Sequence, residues 1–303
     1  MKWYFILLIV IIVLLILTIS LIISVSLYIT NHICRPRLTT KEEYLGFFKE
    51  KGIDSWFSKL ERNPIEFHLS DGYTIHGDYN LVDGSRKYVI IVHGHATNKE
   101  ASLIYASAFN ELGFSTIIYD QRGHGDNEKY DIKMGSQESK DLDEIIRQVY
   151  EKFGSDIYLG LHGLSMGAAT VMLVLKYTQN LKFVVEDCGY DDFKKTIIVL
   201  LNKYHLWGKF FIPFIDLTFK IRFGFWLKEV KPIDVLVNNQ VPLLFIHGNK
   251  DIVVPFESMN NLYTKATSIK EKREFDAPHA RSLVFFHDEY LDVLKKFLKE
   301  IEK

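Results

Sequence analysis

Charge is missing from one stretch of this 303-residue chain: from Trp3 to Thr30 there is no Asp, Glu, Lys or Arg. Cysteine is nearly missing too. The two present, Cys34 and Cys188, rule out a disulfide framework and a clustered cysteine metal site; one bond between them stays open, although distant thiols are more often reduced. No surplus of either charge exists, with 37 basic and 38 acidic residues and a net charge of -1. That balance lacks the basic excess of nucleic-acid-binding domains, and no nucleic-acid partner is expected. Internal repeats and low-complexity segments are also lacking outside the apolar N-terminus. Hydrophobic residues make up 48% and charged residues 25%, as in an ordinary globular protein.

About 27 uncharged residues, at a rise of 1.5 Å each, give a helix of roughly 40 Å, longer than a hydrocarbon core of about 30 Å. Trp3 and Tyr4 at one end and Tyr28 at the other suit the two interfaces. A cleaved signal peptide would have an apolar core of about 7–15 residues and a small-residue cleavage site, and no A-x-A pattern is found. Residues 1–34 are therefore expected to be an uncleaved transmembrane anchor in the cell membrane. Lys2 on one side and Arg35, Arg37 and Lys41 on the other do not decide which side holds the rest of the chain.

A polar connector, residues 35–63, follows, with one or two short helices expected around Tyr44 to Leu60. From residue 64 to 303 strands and helices alternate in a single α/β unit. Ser70-Asp71-Gly72 between two β-like runs predicts a hairpin. Apolar runs at 88–92, 115–119, 157–161, 183–185 and 243–246 read as buried parallel strands, and 272–276 as a more polar eighth. Helical patterns lie near 99–112, 138–153, 166–179, 256–267 and 285–301. Residues 190–232 are too long for a plain crossover and too hydrophobic for a loose loop, so a helical cap insertion is expected there in preference to an elaborated crossover helix. The fold class expected is α/β, an eight-stranded, mostly parallel, doubly wound sheet.

Gly163-Leu164-Ser165-Met166-Gly167 stands between a strand and a helix. A reactive hydroxyl needs such a sharp turn, and only small neighbours two residues either side permit it. The following helix N-terminus has free N–H groups for a developing oxyanion. His93, His95, His124 and His162 raise a metal site as an alternative, but carboxylates at ligand spacing are missing, and neither metal nor cofactor is expected.

Together with Val92-His93-Gly94-His95-Ala96-Thr97-Asn98, Tyr119-Asp120-Gln121-Arg122-Gly123-His124-Gly125, His247-Gly248-Asn249-Lys250-Asp251 and Pro278-His279-Ala280, this turn resembles the α/β-hydrolase superfamily from about Ile65 to the C-terminus. It is most similar to bacterial membrane-associated hydrolases of the lysophospholipase-like and prolyl-oligopeptidase-like kinds. The resemblance implies an α/β-hydrolase fold and the order nucleophile, acid, base: Ser165, Asp251 and His279. It implies an oxyanion hole from the backbone N–H groups of His95 and Met166, with His93 and His124 bracing loops. Asp276, three residues before His279, is expected to support its loop, and His287 to lie on the last helix. The activity implied is hydrolysis of a carboxylic ester, small or lipid-like, through an acyl-enzyme; a serine peptidase or amidase is the alternative. A non-catalytic scaffold on the same fold is disfavoured because all three candidate residues are kept.

Overall fold

The computed structural model describes residues 3–178 and 180–303. Eight strands form one sheet in the order β1-β2-β4-β3-β5-β6-β7-β8. They are β1 (Asn63–His68), β2 (Thr74–Asn80), β3 (Lys87–Val92), β4 (Ser115–Tyr119), β5 (Tyr158–Leu164), β6 (Phe183–Asp187), β7 (Leu243–Gly248) and β8 (Lys270–Phe275). The expected hairpin pairs β1 with β2 antiparallel, and β2 pairs antiparallel with β4. All remaining ladders are parallel. Chain order reverses beside β3, so the loops after β3 and β5 open side by side at the C-terminal edge, where such sheets hold their chemistry.

The eleven helices among the described residues are α1 (Trp3–Cys34), α2 (Lys41–Glu50), α3 (Leu103–Glu111), α4 (Glu138–Phe153), α5 (Met166–Leu173), α6 (Phe193–Lys203), α7 (Gly208–Phe223), α8 (Pro232–Val235), α9 (Glu257–Lys265), α10 (Ser282–Phe285) and α11 (His287–Ile301). α4, α5 and α9 bury Leu142, Val149, Val171 and Leu262 against one face of the sheet. α3 and α11 cover the other with Leu103, Phe109, Leu294 and Phe297. Both faces are thus covered, which accounts for the continuous apolar runs of the central strands.

Element ends differ from the sequence reading for local reasons. Residues 99–102 form a 3₁₀ turn ahead of α3, and α5 closes through another at Val174–Lys176, short of the expected 179. β6 continues into Glu186 and Asp187, two buried acids that hydrophobicity patterning leaves out. β8 starts at Lys270 because an edge strand exposes one side to water and needs no apolar run.

Residues 190–232 contain α6 and α7, with Gly224 in the left-handed region (φ +82°) ending α7. Their buried residues Phe193, Ile197, Ile212, Ile215 and Phe219 share one apolar cluster with Met166 and Ala169 of α5 and with Cys34 of α1. α1 is 32 residues long, apolar enough to cross a membrane, and bare along most of its length. Its buried positions Ser26, Thr30 and Cys34 recur every four residues, so one narrow stripe near its C-terminal end is covered by protein.

Candidate active site

The strand-to-helix turn at Ser165 forms because nothing larger than hydrogen fits beside it. A Cβ on Gly163 would stand 2.3 Å from the Gly167 carbonyl oxygen, and one on Gly167 would stand 2.1 Å from the Val92 carbonyl oxygen. The two glycines therefore let the turn close on itself and on β3. Ser165 itself is held at φ +56°, a strained setting for a residue with a side chain. Its N–H donates to the Asp187 carbonyl at 2.8 Å, and its carbonyl accepts from Ala169 at 3.1 Å. A Cβ on Gly94 would stand 3.4 Å from the Ser165 Cβ and from the Leu164 carbonyl oxygen, so the loop after β3 passes close against the serine.

His279 reaches this point from the loop after β8. Its Nε2 lies 2.9 Å from Ser165 Oγ, and its Nδ1 lies 2.5 Å from Asp251 Oδ2. The Asp251 side chain is fully buried and Oδ1 accepts the N–H groups of Val253 (2.7 Å) and Val254 (2.9 Å). Burial opposes ionisation of Asp251, yet hydrogen bonds from His247 and His279 hold it well below the usual carboxylate range. An ionised carboxylate only accepts, so the His279 proton sits on Nδ1 and Nε2 faces the serine hydroxyl as an acceptor.

The loop after β3 is braced by imidazoles. Gln121 N–H donates to His93 Nε2 at 2.9 Å, and Ala96 N–H to His124 Nε2 at 3.2 Å. Burial pushes both rings below the usual imidazole value, so they stay neutral acceptors. His95 points the other way. Its ring, also lowered by burial, donates Nε2–H to the Ile33 carbonyl of α1 at 2.7 Å. Thr39 N–H donates to the Ala96 carbonyl, and Ile132 N–H to that of Cys34. The chain just beyond α1 therefore straps the loop down. The backbone N–H groups of His95 and Met166 have no hydrogen-bond acceptor among the described residues.

Asp276 is exposed and pairs with Lys250 at 2.7 Å, away from the imidazole. His287 opens α11, bonds to Asp288 and packs at a tilt against the Trp56 ring. Of the four histidines weighed as metal ligands, His93 and His124 brace loops, His95 holds α1, and His162 Nε2 bonds the Tyr290 hydroxyl at 2.9 Å. A cavity of about 820 Å³ opens at the foot of α1 beside Arg35, Tyr130 and Phe223, and none of Ser165, Asp251 and His279 lines it.

Three residues escaped the sequence reading. His247 Nε2 lies 3.1 Å from Asp251 Oδ2, and its i,i+4 place in the same motif was the available signal. Cys188, a buried free thiol at φ +53°, has its sulfur within 4.8 Å of ligand atoms of both Asp251 and His279. Asp187 is fully buried behind the serine turn, and its Oδ2 accepts from the Tyr290 hydroxyl at 3.0 Å. Burial pushes its carboxyl up to about 7, against that hydrogen bond. Between about pH 4 and 7 the unfolded chain has released a proton that the folded chain keeps, so this group's stabilisation falls as pH rises and levels off above 7. Asp187→Asn is expected to raise the melting temperature at pH 8 while changing it little at pH 4, as thermal melts in detergent at the two pH values would read.

Residues 83–185 match the family model described as serine aminopeptidase, S33. The chain is 28% identical over 290 residues to protein YqkD of Bacillus subtilis (strain 168), covering 92% of this chain and 94% of that one. It is 27% identical to the yeast membrane protein YNL320W, covering 72% of each. Among solved structures it resembles the Pyrococcus furiosus esterase Pf2001 with a TM-score of 0.67 at 21% identity, over 84% of this chain and 93% of that one. It also resembles the Pyrococcus horikoshii acylaminoacyl peptidase with a TM-score of 0.59 at 17% identity, over 86% of this chain and 43% of that one.

Proposed function

We propose that this chain, which has the α/β-hydrolase fold, is a serine hydrolase that cleaves carboxylic esters while anchored in the cell membrane by α1. The observation that carries the reading is the continuous run of contacts from Ser165 Oγ through the His279 imidazole to Asp251, at 2.9 and 2.5 Å.

In this reading Ser165 Oγ attacks the ester carbonyl carbon as its proton passes to His279 Nε2, and Asp251 stabilises the resulting imidazolium. The unpartnered N–H groups of His95 and Met166 receive the oxyanion, and the strap from α1 holds the first of them in place. The leaving alcohol takes the proton from His279. Water, deprotonated by the same imidazole, then attacks the acyl-enzyme, releasing the acid and restoring the serine.

A small or lipid-like acyl ester is the substrate class favoured. Ile252 and Val253 stand 74% and 54% exposed directly after Asp251 and give that loop an apolar rim. α6 and α7 act as a cap, since their apolar cluster includes Met166, the residue after the nucleophile. The amidase or peptidase alternative is favoured by the family described as serine aminopeptidase and by the acylaminoacyl peptidase likeness. Aryl esters of graded chain length, assayed beside aminoacyl-arylamides, separate the two. Ester turnover that rises with chain length and far exceeds arylamide turnover is expected; the reverse order would replace the ester assignment.

A further inference from the structure

The bare apolar surface of the chain does not end with α1. In α7 and at the residue before it, Trp207, Phe210, Phe214, Leu217 and Ile221 are all exposed, Trp207 by 80% and Ile221 by 73%. Their spacing of three, four, three and four residues sets them in a single stripe along the helix. The buried residues of α7, Ile212, Ile215, Phe219 and Phe223, lie in the cluster that contains Cys34 of α1. Arg222 donates to Asn31 Oδ1 at 2.9 Å, and the Arg35 guanidinium lies over the Phe223 ring, so α7 is fastened to the last turns of α1.

A contiguous apolar stripe of this length marks a surface made to be covered. Two features say by what. The stripe adjoins a helix whose own exposed surface is lipid-like along some twenty residues, so both would meet the same medium. And from Phe193 to Phe223 there are six Lys or Arg against one acid, Asp216, in a chain whose net charge is only -1. Cations beside an apolar, aromatic-rich helix face are the composition of a segment lying in an anionic lipid interface. Tyr204 and Trp207, exposed in the turn between α6 and α7, are the residue types that settle at headgroup depth.

We propose that the α6–α7 pair is a second membrane contact, with the exposed stripe of α7 seated in the anionic leaflet next to α1. The inference rests on reading α1 as a membrane span. It makes the cap the layer between lipid and Ser165, because the opposite side of α7 shares its apolar cluster with Met166.

The test uses the full chain reconstituted in vesicles of phosphatidylcholine with phosphatidylglycerol, carrying one environment-sensitive fluorophore on a cysteine. The positions are Trp207→Cys, Leu217→Cys, Ile12→Cys as a reference in α1, and Lys299→Cys as a control on α11. Cys34 and Cys188 are fully buried, which directs labelling to the introduced thiol. Spin-labelled lipid is expected to quench the probes at 207 and 217 along with that at 12, while that at 299 keeps its emission. Quenching at 207 is expected to weaken in vesicles of phosphatidylcholine alone. Quenching at 12 without quenching at 207 and 217 would overturn the docking and leave the anchor standing. A blue-shifted but unquenched probe at 207 would overturn it in favour of contact with a second copy of this chain. Quenching at 207 and 217 but not at 12 would remove the span and with it the second contact proposed beside it, and no quenching at any position would remove both. Fluorophosphonate labelling of the same samples reports separately on Ser165.

Discussion

Ser165→Ala is expected to lower ester turnover by about 10⁴-fold or more and to abolish fluorophosphonate labelling, with the melting temperature nearly unchanged. The hydroxyl is the only atom removed, and it lies 2.9 Å from an imidazole oriented to take its proton. The strained φ of +56° at this residue belongs to the turn, which the flanking glycines and the bond to Asp187 maintain, so alanine inherits it without loss of fold. His279→Ala should cost about as much, and the double variant little more than either single one, because the two groups act as one unit. Labelling that survives in Ser165→Ala would end the serine-hydrolase reading.

Asp251→Asn is the second large effect, a fall in kcat/KM of about 10⁴-fold. An amide in place of the carboxylate has an N–H that can face Nδ1, which favours the imidazole tautomer with its proton on Nε2. That tautomer cannot accept from Ser165. Two further attachments make this position hard to replace: Oδ1 receives two backbone N–H groups, and His247 bonds Oδ2 beside His279. Asp276→Asn is the matched control. It removes only an exposed ion pair with Lys250, an interaction worth about 1 kcal/mol at most, and should leave kcat/KM within about twofold of wild type. Comparable losses in the two variants would transfer the acid's role away from residue 251.

Much of this architecture is legible in the chain itself because the central strands are covered on both faces. The run Tyr88 to Val92 carries no charge or amide, Ser115 to Tyr119 carries only two small hydroxyls at its start, and the bounds of both are readable to within a residue. The Ser165 turn was equally plain, since a glycine two residues before and after a serine has a steric reason to exist there. What patterning could not give was the buried polar layer beneath the site. Glu186 and Asp187 look like the start of a loop, yet they complete β6 in the core. His247 sits in a strand and reads as one motif letter among five until the fold turns its ring toward Asp251. Nor does periodicity reveal that α7 lies against α1, because that pairing joins residues about 190 positions apart, such as Asn31 and Arg222.

The strap between α1 and the loop after β3 bears on how a soluble fragment of this protein should be judged. Cutting after residue 35 is the obvious way to dispense with the greasy helix, yet it also discards the carbonyls of Ile33 and Cys34 that His95 and Ile132 use. A buried donor stripped of its acceptor costs about 1–3 kcal/mol, and the loop that sheds this cost by moving is the one proposed to present the His95 N–H to the oxyanion. Slow kinetics from a trimmed protein would then describe an enzyme with a slackened frame. A detergent-solubilised, uncut chain is the fair standard against which its rates should be set.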